Sequence, residues 1–184
     1  KLVPSLAESW ESSADLKTWR FKIREGIEFH DGRKLTAKVV AGNFRYHTSE
    51  KSKSVAKAIL KSIKNIEVEG DYIVVFSLDS GNADFAVSLN SANLSIMPST
   101  EDGDLDWKSM VGTGGYRMKE FNPGVSAIFQ RNENYWKKDR AHAEEIELLS
   151  IKDSLARTTA IMTGSVDAID NVDTKTALLL ARNS

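Results

Sequence analysis

The sequence predicts an α+β or mixed α/β fold, in which antiparallel hairpins come first and strands alternate with helices towards the end. Two observations carry the hairpins. Trp19, Phe21 and Ile23 alternate with Arg20, Lys22 and Arg24, the period-two pattern of a strand with one buried and one wet face. Tyr116 to Phe121 and Val125 to Arg131 flank Asn122-Pro123-Gly124-Val125, where proline presets φ and glycine accepts the positive φ of a type II turn. A third observation, strand-like and helix-like runs in turn after Glu145, predicts a crossover unit in a mixed sheet.

Taken in order, Leu6 to Glu11 and Asp15 to Arg24 form two strands joined by a serine turn. The charged face of the second strand reads as a solvated surface. Glu25 to Arg33 is turn-rich, and Thr36 N-caps a helix over Ala37 to His47. Val55, Ile59 and Ile63 recur at helical spacing, which predicts a second helix through Lys64 with its lysines in water. Ile66 to Val68 and Tyr72 to Leu78, around Glu69-Gly70-Asp71, form a hairpin. Asn82 caps a short helix over Ala83 to Leu89, Asn90 to Asn93 end it, and Leu94 to Met97 is extended before Pro98.

Beyond that come an acidic connection with a short helix at Asp104 to Met110, the hairpin, and a strand at Glu145 to Ile151. A helix capped by Asp153 or Ser154 ends at Gly164, Val166 to Val172 is a strand, and Asp173 caps a helix through Ala181. The domain division expected is a small α+β domain over 1–98 and a mixed-sheet segment over 99–184.

Composition narrows the function. A core of ordinary size is within reach of 184 residues at 41% apolar content. The formal net charge of −1 argues against a nucleic-acid partner and against electrostatic membrane binding. No apolar run approaches the roughly 20 residues of a membrane span, so the chain reads as soluble, without direct membrane insertion. The absence of cysteine excludes disulfides and thiolate-bound metals. Lys1-Leu2-Val3-Pro4 lacks a signal-peptide pattern, so the chain is expected to begin as a mature protein or inside a longer one.

Few motifs suggest chemistry. Gly112, Gly114 and Gly115 precede a strand, whereas a phosphate-binding glycine loop opens a helix, so a tight backbone bend is the better reading. His30-Asp31-Gly32 could supply a general base or a metal ligand, but no nucleophile or ligand cluster accompanies it. A turn closed by Asp31 and Gly32 is favoured. The polar group Asn90, Ser91 and Asn93, between an apolar helix and a strand, is the best local candidate for lining a ligand cleft, beside the alternative of an ordinary polar loop.

Three sets of residues resemble one family. Gly112-Thr113-Gly114-Gly115-Tyr116, Phe121-x-Pro123-Gly124 and Arg131-Asn132-x-Asn134-Tyr135-Trp136 match "GTGPY … F.PG … RN.(N)YW". Pro4, Leu6, Ala7, Ser9, Trp10, Trp19, Phe21, Arg24, Gly26, Phe29 to Gly32 and Leu35 to Ala37 match a second block. Ile151, Asp153, Ala156, Arg157, Ala160, Gly164, Val166, Asp167 and Ile169 match a third. Taken in chain order, they resemble the bacterial extracellular solute-binding proteins of family 5, receptors of ABC importers. Two departures are visible: Gly115 stands where the family usually has proline, implying a looser bend, and Lys38 where it often has aspartate.

The resemblance implies a periplasmic-binding-protein-like fold of type II, cluster C, here as a partial first lobe with its additional small α+β domain and without the second lobe. It implies a monomeric receptor outside the cytoplasmic membrane that captures a small or oligopeptide solute for an ABC permease, with no catalytic residue, cofactor or metal. The solute lies between two lobes that hinge shut. The turn carrying Asn90, Ser91 and Asn93 faces it, and Gly114 and Tyr116 complete the candidate ligand-binding set. The alternative is a hydrolase or other enzyme using His30 and Asp31.

Overall fold

The computed structural model describes residues 2–50, 52–99, 104–172 and 176–177. The chain divides into two compact units, Lys1–Arg117 with Gln130–Glu144, and Met118–Phe129 with Glu145–Ser184.

The first unit is built on a four-stranded sheet of order β1-β2-β4-β3, with β1 at Ala7–Ser12, β2 at Thr18–Ile23, β3 at Ile63–Glu69 and β4 at Ile73–Leu78. All three pairings are antiparallel. The β2–β4 register sets Trp19 opposite Phe76 and Phe21 opposite Val74, so the apolar residues of both strands share one face. Trp19, Phe21, Ile23, Val74, Phe76 and Leu78 are all buried. On the wet face Arg20 pairs with Glu69 at 2.6 Å and Glu11 at 3.3 Å, and Lys22 with Glu8 at 2.6 Å. The basic face is a set of cross-strand ion pairs, as befits the exposed side of an antiparallel sheet.

Helix α1 (Ala37–Thr48) covers the buried face. The Thr36 hydroxyl accepts from the Val39 N–H, and Ala37, Val40, Ala41, Phe44 and His47 form its buried stripe. Phe44 meets Phe76 edge-on at 5.0 Å, and Phe85 meets Phe76 at 5.4 Å. Phe85 sits at the start of α2 (Phe85–Ser88), a single turn shorter than the helix expected. The Asn82 side chain accepts from the Asp84 N–H, forming a turn ahead of that helix. Gly81 is required by proximity, since a Cβ there would lie 2.4 Å from the Asp15 carbonyl oxygen.

Asn43 was not singled out by sequence pattern, yet its side chain is almost fully buried. Its amide donates to the Val39 and Met97 carbonyls at 2.9 and 2.8 Å, and its oxygen accepts from the Met97 N–H at 2.9 Å. The extended 95–98 segment is thereby stitched to α1.

Several expected elements differ. The helix expected through Lys64 is a 3-10 turn at Val55–Ala58, capped by Ser54, because Ile63 pairs with Leu78 and joins β3. Sheet pairing overrides helical spacing there. Ala92–Leu94, expected to end in extended chain, is another 3-10 turn, with the Ser91 hydroxyl accepting from the Asn93 N–H. The helix at 104–110 shrinks to Trp107–Ser109 and stops at Met110, whose φ is +53°.

A second sheet has the order β5-β6-β7: Tyr116–Asn122, Ser126–Arg131 and Glu145–Leu149. Its hairpin turns as expected, with Gly124 at φ +74° and the Val125 N–H donating to the Asn122 carbonyl at 3.0 Å. The Arg131 N–H donates to the Glu144 carbonyl and the Ser150 N–H to that of Val125, so β7 runs antiparallel to β6. The strand expected at Glu145 to Ile151 is thus present as the third strand of this sheet, and the crossover expected after it turns on a further strand at 166–172. Helix α3 (Ser154–Met162) starts where the Asp153 carboxylate accepts from the Ala156 N–H and ends at Gly164, φ +70°. The run 166–172 is irregular: no described strand offers it a ladder, and a strand exists only through its partner. The helix expected after Asp173 lies outside the described residues except at 176–177. Within this unit Phe121, Val125, Leu148, Leu149, Leu155 and Met162 are exposed.

Two outcomes test the first unit. Replacing Asn43 with leucine keeps the volume but strands the Met97 amide and carbonyl, and urea denaturation should show a loss of about 3 kcal/mol. His47 is buried, with Nδ1 at 2.8 Å from the Ser54 hydroxyl and Nε2 without a hydrogen-bond partner among the described residues. Burial pushes its pKa below 6.5. The unfolded chain therefore binds the proton first, so stability is full above pH 6.5 and falls as pH drops below it. Thermal melts across pH 8 to 5 should show that decline, flattened in His47→Gln.

Candidate functional site

The sheet face of the first unit is not sealed along its whole length. A cavity of about 540 Å³ is bounded by the sheet, α1 and the segments 2–6 and 86–96, with Phe21, Ile23, Phe44, Phe76, Leu89 and Ile96 in its wall. That volume falls in the range of about 300–1,000 Å³ usual for ligand pockets, and the apolar lining with a few polar groups is equally usual. The polar side chains in the lining are Ser5, Asn90, Ser91, Ser95 and Lys137.

Two of the candidate ligand residues, Asn90 and Ser91, thus line one chamber. They are placed there by the end of α2, where the Asn90 N–H donates to the Val87 carbonyl at 3.0 Å and turns the chain. Asn93 is exposed and lies outside the lining; its N–H is held by the Ser91 hydroxyl.

Gly114 and Tyr116 belong to a different constellation. The Gly114 carbonyl accepts from the Asn132 amide at 3.1 Å and stands 3.0 Å from His30 Nε2. The Tyr116 hydroxyl donates to the Ala143 carbonyl at 3.1 Å. Gly115 is needed for space: a Cβ there would lie 2.9 Å from the Ala141 Cβ and 3.1 Å from the Tyr135 ring. Any side chain at this position, proline included, would require those neighbours to move.

His30 and Asp31 are occupied with structure. The His30 N–H donates to the Gly112 carbonyl at 2.9 Å, and Nδ1 accepts from the Gly112 N–H at 3.2 Å. With Nδ1 accepting, Nε2 carries the proton and donates to Gly114, which fixes the neutral tautomer. Asp31 accepts from Arg33 Nε at 2.7 Å, and Arg33 holds its carboxyl below the usual carboxylate range. The turn itself is closed by the Gly32 N–H on the Phe29 carbonyl, with Gly32 at φ +84°. Arg33 also reaches the Ser99 carbonyl at 2.9 Å and Asp106 at 3.1 Å, so the turn anchors the connection after Pro98. Both ring nitrogens of His30 and the Asp31 carboxylate are thus bonded within the fold. Among the described residues, no three of His, Asp and Glu lie close enough to hold a metal ion.

Sequence reasoning missed Lys137, Arg24 and Trp136 as a group. Lys137 Nζ lies 4.9 Å and Arg24 Cζ 5.2 Å from the centroid of the Trp136 ring. Both distances fall within cation–π reach. Their positions, 24 and 136–137, are too far apart in the chain for any spacing rule to link them.

The family model of the bacterial extracellular solute-binding proteins, family 5 Middle, matches residues 1–184. The chain belongs to this family. Relatives within family 5 include the nickel-binding periplasmic protein of Escherichia coli, 28% identical over 176 residues, a match covering 91% of this chain and 33% of that protein. The oligopeptide-binding protein AppA of Bacillus subtilis is 26% identical over 187 residues, covering 94% and 34%. Among solved structures, the Helicobacter pylori binding protein DppA in complex with the peptide STSA superposes with a TM-score of 0.79 at 26% identity, covering 90% of this chain and 37% of that one. The chain therefore spans about a third of the length of these family 5 proteins. The binding-protein-like α+β fold expected from the sequence is the fold present. No helix among the described residues is long and apolar enough to cross a membrane.

Replacing His30 with alanine should free the 112–115 loop, so that the Gly112 amide exchanges faster with deuterium, while stability falls by about 1–2 kcal/mol. An unchanged Gly112 exchange rate would refute the clamp.

Proposed function

We propose that this chain is the part of an ABC-importer receptor that carries the first lobe's small domain, over residues 1–98, and the middle of that lobe, over 99–184. The receptor captures a peptide-like solute outside the cytoplasmic membrane, in the periplasm, and passes it as a monomer to the permease without chemical change. The observation that carries this reading is the family match along all 184 residues. Relatives described as binding nickel, oligopeptides and glutathione add support to a solute-capture role and leave the solute class broad. Asn90 and Ser91 in a largely apolar cavity suit a solute with both apolar and polar parts. Asn93, Gly114 and Tyr116 remain candidates for contact with it, Gly114 and Tyr116 through a loop fixed by His30 and Asn132.

An enzymatic reading gains nothing from the geometry, because both ring nitrogens of His30 and the carboxylate of Asp31 are bonded within the fold. In two-lobed receptors closure supplies much of the affinity, so both lobes are needed for tight capture. A receptor of the relatives' full length containing this chain should therefore gain thermal stability from one member of a panel of peptides, glutathione and nickel chelates. At a ligand concentration 100-fold above Kd the gain is about 2.7 kcal/mol. The 184-residue chain alone should show no shift with peptides. Absence of any shift in the full-length receptor across the panel would overturn the reading.

A further inference from the structure

The cavity and the Trp136 cluster together point beyond capture between two lobes. Lys137 lines the cavity, and both it and Arg24 are half-buried. Neither has a carboxylate within ion-pair distance among the described residues. Glu8, which Arg24 attracts at longer range, is itself committed to Lys22 at 2.6 Å. Among the described residues the Arg24 side chain otherwise donates only to the Ser5 carbonyl, at 3.3 Å, and the Lys137 ammonium makes no hydrogen bond and lies over the Trp136 ring. Two positive charges therefore share one aromatic ring, and one of them, Lys137, stands in the wall of the cavity. Asn90, in the same lining, is exposed, so its side-chain amide is open to water.

From this arrangement we propose that the first unit holds its own binding site for a small amphipathic monocarboxylate. The apolar chain enters the chamber walled by Phe21, Phe44, Phe76 and Leu89, and the carboxylate meets Lys137, with Arg24 adding attraction from across the Trp136 ring. An apolar cavity gains nothing from water, which finds no partners along such walls, but gains from an apolar occupant. The lysine selects an anion over a neutral or cationic head, because an anion relieves the repulsion between two cations that have no ion-pair partner among the described residues. The site lies wholly within the first unit and so works without a second lobe.

Isothermal titration of the 184-residue chain with octanoate, and with octan-1-ol as the neutral counterpart, tests the assignment. Octanoate should bind saturably at one site and octan-1-ol more weakly. Lys137→Met should weaken octanoate about five-fold, the scale of an ion pair at a half-buried lysine, and leave octan-1-ol unchanged. Ala86→Phe, which fills the chamber, should abolish both, with circular dichroism confirming that the variant is folded; if it is not, the Lys137→Met comparison decides alone. No saturable octanoate binding by the folded wild-type chain would overturn the proposal, as would equal losses for both probes in Lys137→Met. Octanoate binding without any peptide response in the full-length receptor would leave this site standing while the receptor reading fell; the reverse result would do the opposite.

Discussion

The pairing of β2 with β4 is the constraint on which the first unit rests. It sets Trp19 against Phe76 and Phe21 against Val74, and so gathers an aromatic cluster that Phe44 from α1 and Phe85 from α2 complete. Each of these rings packs edge-on or tilted against another, the arrangement that aromatic quadrupoles favour. Slipping the register by one residue would turn Arg20 and Lys22 inward and break their pairs with Glu11, Glu69 and Glu8. Burial on one face and charge pairing on the other therefore specify the same register.

The local signals in the sequence were those that depend on a few adjacent residues. Thr36 and Asp153 cap their helices, Gly124 and Gly164 take positive φ, and the strands of both hairpins lie close to where alternation put them. What failed depended on distant partners. Ile63 looked helical because Val55 and Ile59 precede it at the right spacing, but Leu78 claims it for the sheet. Val166 to Val172 has strand composition and no neighbouring ladder among the described strands.

The candidate site was half legible for the same reason. Asn90 and Ser91 stand next to each other at a helix end, where a polar cluster between apolar runs is visible. Lys137 and Arg24 reach the same region from opposite ends of the unit, through Trp136, and Asn43 is invisible until Met97 is seen beside it. His30 and Asp31 had the composition of a catalytic pair. Their surroundings make them a clasp, because a histidine whose Nδ1 accepts a backbone N–H and whose Nε2 donates to a carbonyl has no nitrogen left for proton transfer.

The strand order β1-β2-β4-β3 has a kinetic side. Its central contact joins segments about fifty residues apart, so the β1–β2 ribbon, marginal by itself, must wait for a long loop to close before its apolar face is covered. Until residue 78 has emerged from the ribosome, neither hairpin has the neighbour it docks on, and the nascent segment has no sheet to form. Assembly is then sudden rather than gradual, since the arrival of one strand supplies partners to two others.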